Sequence, residues 1–245
     1  MRNIKLTIEY EGTAYCGWQW QAGLPTVQGA LIDALRKLIG EDVELSGSSR
    51  TDAGVHALGQ GANFKTDSGI SLYNVLRGLN FHLPEDIAIR HVEEAPLEFD
   101  SRHDSKAKTY IYKIFNRQQR PAMLRRFAWH VWKPLDISLM SEAASYIIGE
   151  KDFASFMAAD AQVRHSMREV STVQIRRGED GLVEIEVVGR AFLRHMVRIM
   201  TGTLVEVGMG RIRPETVAHI IAAQDRRRAP MTAPAHGLTL IKIEY

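Results

Sequence analysis

Arg50 and Asp52 stand two residues apart in the densest polar cluster of the chain, Gly47-Ser48-Ser49-Arg50-Thr51-Asp52-Ala53-Gly54-Val55-His56-Ala57. In an extended chain that spacing sends a guanidinium and a carboxylate to one side. The small residues around them let the backbone turn tightly and let a bulky partner come close. The same residues also make an ordinary loop in which Arg50 and Asp52 pair and Thr51 bonds across a turn. Taken alone, the segment favours that plainer reading. Other chemistries are excluded more firmly. No G-x-G-x-x-G follows a strand and no G-x-x-x-x-G-K-[ST] occurs, so neither a dinucleotide nor a P-loop nucleotide cofactor is supported. The nine histidines show no H-E-x-x-H or H-x-H spacing, and Cys16 is the single cysteine. That rules out an internal disulfide and a cysteine-rich zinc site, and no metal or cofactor is expected. There is no G-x-S-x-G elbow. Chemistry here must run on carboxylate, arginine, tyrosine or histidine.

The frame around that cluster is ordinary in composition. Of 245 residues, 45% are hydrophobic and 24% charged, which argues against disorder, coiled coil and disulfide scaffolds. No apolar run approaches the roughly 20 residues of a membrane span, and Met1-Arg2-Asn3-Ile4-Lys5 leads straight into a strand pattern without a signal-peptide core. The expectation is a cytoplasmic protein. The net charge of +2 divides unevenly. Residues 1–100 hold 8 Lys+Arg against 14 Asp+Glu, and residues 101–245 hold 23 against 15. Arginine supplies 22 of the 31 basic residues, and its planar fork suits phosphate and base stacking; a GC-rich genome explains the same bias equally well. A polyanionic partner is the hypothesis this asymmetry raises.

Ile4, Leu6, Ile8 and Tyr10 alternate with polar residues as in a strand with one buried face. Val27 to Ile39 has helical spacing, with Thr26 as N-cap and Gly40 as stop. Strands are predicted over 43–45, 58–66, 86–92, 108–115, 170–176, 182–188 and 238–245. Helices are predicted over 70–79, from a Ser138 cap to Gly149, over 191–207 and over 214–223. Gly178-Glu179-Asp180-Gly181 reads as a hairpin turn. Tight βαβ spacing is absent. The pattern predicts an α+β fold with a largely antiparallel sheet and helices on one side. Both halves run strand, helix, strand, with no sequence-level repeat and no low-complexity linker.

Arg50 to Ala57 closely resembles the active-site motif of the tRNA pseudouridine synthase A family, and the resemblance continues in order along nearly the whole chain. Tyr15-Cys16-Gly17-Trp18-Gln19 resembles the family's early aromatic-x-Gly-Trp-Gln segment. Phe99-Asp100-Ser101-Arg102 through Lys106 to Tyr112 resembles its substrate-contacting strand. Gly149 to Phe156 and Phe192 to Arg198 resemble two later motifs. One departure is Ser48-Ser49, where many members carry Ala-Gly.

The resemblance implies an enzyme, an isomerase that converts uridine to pseudouridine at positions 38, 39 and 40 of the tRNA anticodon stem-loop. It implies two similar halves sharing one continuous sheet, a homodimer, and neither cofactor nor metal. Residues 1–104 would carry the catalytic loop and 105–245 the substrate strand, the arginine helix and the basic surface, with an active-site cleft between the halves. By match to the family, Asp52 is the nucleophile, able to attack C6 of uracil, attack C1′ of ribose or assist elimination at the sugar. Arg198 matches the arginine that pairs with it; Tyr110 matches the tyrosine against which the flipped base packs. Arg50 is expected to bind phosphate or fill the vacated stack, with His56 and Gln60 as lining or support. Arg226, Arg227 and Arg228 are the leading candidates for phosphate contacts, with Arg164, Arg168, Arg190 and Arg194 as further ones. Two other classes compete. A catalytically silent RNA-binding protein on the same scaffold would keep binding and never form product. A nucleoside glycosidase usually needs a second carboxyl group, and none accompanies Asp52 in its motif.

Overall fold

The computed structural model describes residues 1–161 and 163–245, which fall into two compact units, 1–106 with 239–245, and 107–238. The first unit begins with β1 (Arg2–Tyr10), whose Ile4, Leu6, Ile8 and Tyr10 are buried as the alternation requires. Next come α1 (Val27–Ile39), β2 (Leu45–Gly47), β3 (His56–Thr66), α2 (Leu72–His82) and β4 (Ile87–Ala95). The Thr26 hydroxyl accepts the Gly29 N–H at 3.2 Å, and Gly40 closes α1 in the left-handed region at φ 81°. Ser71 caps α2. β1 lies antiparallel between β3 and β4. The other edge of β3 is shared: β2 pairs antiparallel at Ala62–Phe64, while Thr239 and Leu240 pair in parallel at His56 and Ala57. The division of the sequence at 104/105 assigns 239–245 to the second half; here that segment completes the first unit.

The second unit holds β5 (Ala107–Phe115), β6 (Trp129–His130), α3 (Ile137–Ser145), β7 (Gly149–Asp152), β8 (Met167–Arg177), β9 (Leu182–Gly189), α4 (Met196–Gly208) and α5 (Thr216–Ala223). The chain closes with β10 (Leu238–Glu244). Strands order as β5-β9-β8-β7, antiparallel throughout, with β6 parallel to β5. β8 and β9 form the expected hairpin. β5 buries Thr109, Tyr110, Tyr112, Ile114 and Phe115, so it has apolar cover on both faces. Each unit is α+β.

Four expectations shift, one being the helix predicted to reach Gly149, which ends at Ser145, before β7 begins. The helix predicted from residue 191 starts at Met196, because His195 sits at φ 64° and breaks the helical path just before it. Asp136, not Ser138, caps α3: its Oδ1 accepts the N–H groups of Ser138 and Leu139. The short strand predicted over 43–45 lies at 45–47, where Leu45 faces Phe64 across the ladder.

Candidate active site

The Arg50–Asp52 segment belongs to the loop 48–55, which joins β2 to β3 and is held by bonds that cross it. At its entrance the Ser48 N–H donates to the Gly61 carbonyl at 2.8 Å. The Gln60 amide then grips Ser49 twice: its Oε1 accepts the Ser49 N–H at 3.2 Å, and its Nε2 donates to the Ser49 carbonyl at 2.7 Å. Thr51 is fixed through its hydroxyl to Tyr10 at 2.8 Å and through its carbonyl, which accepts the Trp18 N–H at 3.1 Å. Past Asp52 the chain turns back: the Val55 N–H donates to the Asp52 carbonyl at 3.1 Å, and Gly54 sits at φ 78°. Ser48, Ser49, Thr51 and Val55 are buried, Asp52 is half-buried and Arg50 is exposed. A carboxylate thus stands at the surface of a loop whose backbone is tied down on both sides. That is pre-organisation.

The 15–19 motif is the brace. Trp18 is 1% exposed and packs against Gly47, where a Cβ would fall 2.3 Å from the indole Nε1. Gly17, at φ 96°, has no room for a side chain, since a Cβ there would stand 2.6 Å from the Thr51 carbonyl oxygen. Trp18 is therefore a core residue of the loop's support, while Trp20 is exposed. Buried Gln28 ties this segment to β2: its Nε2 donates to the Leu45 carbonyl at 2.8 Å, and its Oε1 accepts from Gln19 and from the Trp20 N–H.

His56 and Gln60, expected as lining or support, are both buried and hydrogen-bonded to nearby backbone. His56 Nδ1 accepts the Gly12 N–H at 3.0 Å and the ring is 3% exposed; Gln60 is fully buried. Within the Phe99–Arg102 motif Ser101 is buried, Phe99 and Asp100 are half-buried and Arg102 is exposed. Asn63 joins Asn3, the Phe99 carbonyl and the Ser101 N–H, and the Ser101 hydroxyl donates to the Ser46 carbonyl at 2.8 Å. Burial pushes the Asp100 carboxyl up, but donors from His103, Arg102 and Ser46 outweigh it and hold the group below its usual range. This network anchors β2, the strand that feeds the loop. Ser101 stands in the motif quoted from sequence, but Gln28 and Asn63 were not singled out, because buried amides carry no periodicity.

In the second unit, Tyr110 lies on β5, 5% exposed, with Phe192 edge-on at 5.3 Å. Arg198 lies in the first turn of α4, a helix buried along most of its length. Its Nε donates to the Ala233 carbonyl at 2.9 Å, and its own carbonyl accepts the Ala233 N–H at 3.1 Å. The half-buried guanidinium lies near His236 and Tyr112: burial, joined by this charge, lowers the His236 pKa, whereas burial drives the Tyr112 phenol up against it. The three consecutive arginines divide. Arg226 holds its own turn, donating to the Ala229 carbonyl at 2.8 Å and the Thr232 hydroxyl at 3.1 Å. Arg227 clamps Asp225 through Nε and Nη2, and that hydrogen-bonded pairing brings the carboxyl down to about 2. Arg228 is exposed. Of the further arginines, Arg194 pairs with Asp160 at 2.8 Å, and Arg168 folds back on the carbonyls of His165 and Met167.

The sequence profile of the family described as tRNA pseudouridine synthase matches residues 6–104, which include the loop and its brace, and 143–245, which include the helix of Arg198. The chain belongs to the tRNA pseudouridine synthase family. That is a family of isomerases. Proteins named tRNA pseudouridine synthase A from Ruminiclostridium cellulolyticum and Acetivibrio thermocellus are 47% and 46% identical to it, over the full length of both chains in each case. One of the same name from Myxococcus xanthus is 42% identical, covering all of this chain and 92% of its own. Among solved structures, a chain in the crystal structure of a Cbf5–Nop10–Gar1 complex aligns with a TM-score of 0.41 at 10% identity, covering 97% of this chain and 49% of that one. Among the described residues no helix is long and apolar enough to cross a membrane, and no group of three His, Cys, Asp or Glu is placed to hold a metal ion.

Proposed function

We propose that the protein isomerises uridine to pseudouridine at positions 38, 39 and 40 of the tRNA anticodon stem-loop, with Asp52 as the reacting carboxylate. The observation that carries this reading is the braced loop: in a chain that matches the family along its length, the motif aspartate is half-buried on a backbone pinned at Ser48, Ser49 and Thr51. The reaction breaks the N1–C1′ bond, turns the uracil and rejoins it through C5, with no redox step and no energy input. It needs a group that bonds transiently to carbon, or stabilises a developing cation, and then leaves; an ionised carboxylate does either. Attack at C6, attack at C1′ and assisted elimination are three routes open to it. Arg198 is the proposed counter-charge, Tyr110 the proposed surface for the base once it has left its stack, and exposed Arg50 the proposed phosphate contact or stand-in for that base. His56 and Gln60 act through the loop they hold. The same reading makes the protein a cytoplasmic homodimer that works without cofactor or metal.

The deciding experiment is mass-spectrometric mapping of tRNA incubated with the pure protein and a chelator, under conditions where the tRNA stays folded. Pseudouridine at 38–40 is the expected result. Activity that vanishes with the chelator and returns with a divalent ion refutes the metal-free reading, and product at other positions refutes the site assignment.

The arginine run gives a second expected result. Since Arg226 holds its turn, the phosphate contacts fall to Arg227 and Arg228, and Arg227 must first leave Asp225. Arg228→Ala is expected to weaken tRNA binding and to flatten the plot of log affinity against log salt by up to about 0.7–0.9 for one lost phosphate contact. Arg227→Ala is expected to do less. Single-turnover rates at saturating enzyme should be unchanged for both; an unaltered salt slope removes the run from the RNA footprint.

A further inference from the structure

Tyr245 follows β10, and its ring is held on the first unit's sheet by two neighbours: Lys5 Nζ, 4.2 Å from the ring centroid, and Phe99, edge-on at 5.1 Å. The ring directs its hydroxyl onto Gly61. A Cβ at Gly61 would fall 1.8 Å from that oxygen, 3.1 Å from Cζ and 3.6 Å from Ser48 Cβ. Burial pushes the phenol up to about 12, with the Ser48 hydroxyl beside it pulling the other way. Gly61 is also the residue whose carbonyl receives the Ser48 N–H at the mouth of the catalytic loop. One β3 residue is thus met by the tyrosine hydroxyl at Cα and by the loop backbone at its carbonyl. On the same strand, its neighbour Gln60 grips Ser49.

We propose that Tyr245 is a positioning residue for catalysis: its hydroxyl, seated over Gly61 beside Ser48, latches the entrance of the 48–55 loop and thereby sets the place of Asp52. The catalytic half of this statement rests on the pseudouridine synthase reading above; the latch itself does not. Tyr245 touches no reacting atom. Its effect passes through Gly61 and Ser48 to a carboxylate four residues on, and a misplacement near 1 Å at a reacting group is enough to slow a reaction on the order of 100-fold.

The test is a size swap across the contact. Y245F removes the oxygen and keeps the ring. G61A places a methyl where that oxygen lies, and the double variant gives the methyl the vacated space, with Cζ the next atom at 3.1 Å. Amide hydrogen exchange of residues 48–55 and single-turnover pseudouridine formation are read together with tRNA affinity and the thermal midpoint. Y245F is expected to exchange faster in 48–55 and not in α1, and to lower kcat by about 3–10-fold with KM unchanged. G61A is expected to lose about 10-fold or more, and G61A/Y245F to recover part of that loss. Y245F matching wild type in both loop exchange and turnover overturns the latch, as does a double variant no faster than G61A. A rate loss that merely tracks a lower thermal midpoint, and disappears on cooling, assigns Tyr245 a structural role and overturns positioning. Wild-type protein that forms no pseudouridine overturns the functional reading and the catalytic half of the proposal, while loop exchange still decides the latch.

Discussion

Asp52→Asn protein is expected to bind tRNA about as well as wild type and to form no measurable pseudouridine. The substitution keeps the size of the side chain and its hydrogen-bonding capacity while removing its charge and nearly all its nucleophilicity. Losing a covalent nucleophile costs on the order of 10⁴-fold or more in rate. Binding should survive for two reasons. A carboxylate contributes nothing favourable to holding phosphate. Bonds that hold the loop through the Ser48 N–H, the Asp52 carbonyl, the Thr51 carbonyl and hydroxyl, and the Gln60 amide are left in place by the substitution. An unchanged thermal midpoint would confirm that the loop is intact. Multiple turnover by rigorously purified Asp52→Asn protein would remove the aspartate from the nucleophile role. Tight binding without turnover also separates the enzyme from a silent RNA-binding scaffold, because the silent protein would show no turnover in the wild type either.

How legible this was in the sequence depended on the kind of signal. β1 and α1 were readable because their buried faces repeat at periods of two and near 3.6, with Thr26 and Gly40 marking the helix ends. β7 was not readable: Gly149-Glu150-Lys151-Asp152 has no apolar period, and it is a strand because β8 offers it a free edge. The early start assigned to the Arg198 helix followed from an apolar pattern that runs through 191–195, whereas a left-handed His195 cannot be seen in a pattern. At the site, the loop was legible by its residue types and its resemblance to the family. Its support was not. Gln60 and its neighbour Gly61 could be placed near the loop by sequence distance, but Gln28 and Tyr245 act from distant parts of the chain, and all of them, with Asn63, work through buried amides, a missing side chain and a phenol. None of these leaves a trace in local spacing.

Arg198→Met is expected to slow pseudouridine formation by at least about 100-fold, the scale on which losing a fixed charge partner at a reacting group acts. Methionine keeps an unbranched stem in the first turn of a buried helix and removes the guanidinium, so it separates charge from packing better than alanine does. The bond from Nε to the Ala233 carbonyl goes with it, at a cost of about 1–3 kcal/mol if that oxygen finds no other donor. The reciprocal bond from the Ala233 N–H to the Arg198 carbonyl is backbone and remains. A purely structural arginine would therefore lower the thermal midpoint and leave the rate of the folded fraction near normal. A counter-charge for Asp52 predicts the reverse weighting, a rate loss far larger than the stability loss accounts for. Arg198→Lys sharpens the distinction, since it restores a charge without the planar fork. It should recover part of the rate if charge is what Asp52 needs, and little if the fork's geometry is what holds the carboxylate. Wild-type turnover by folded Arg198→Met protein would break the proposed pair.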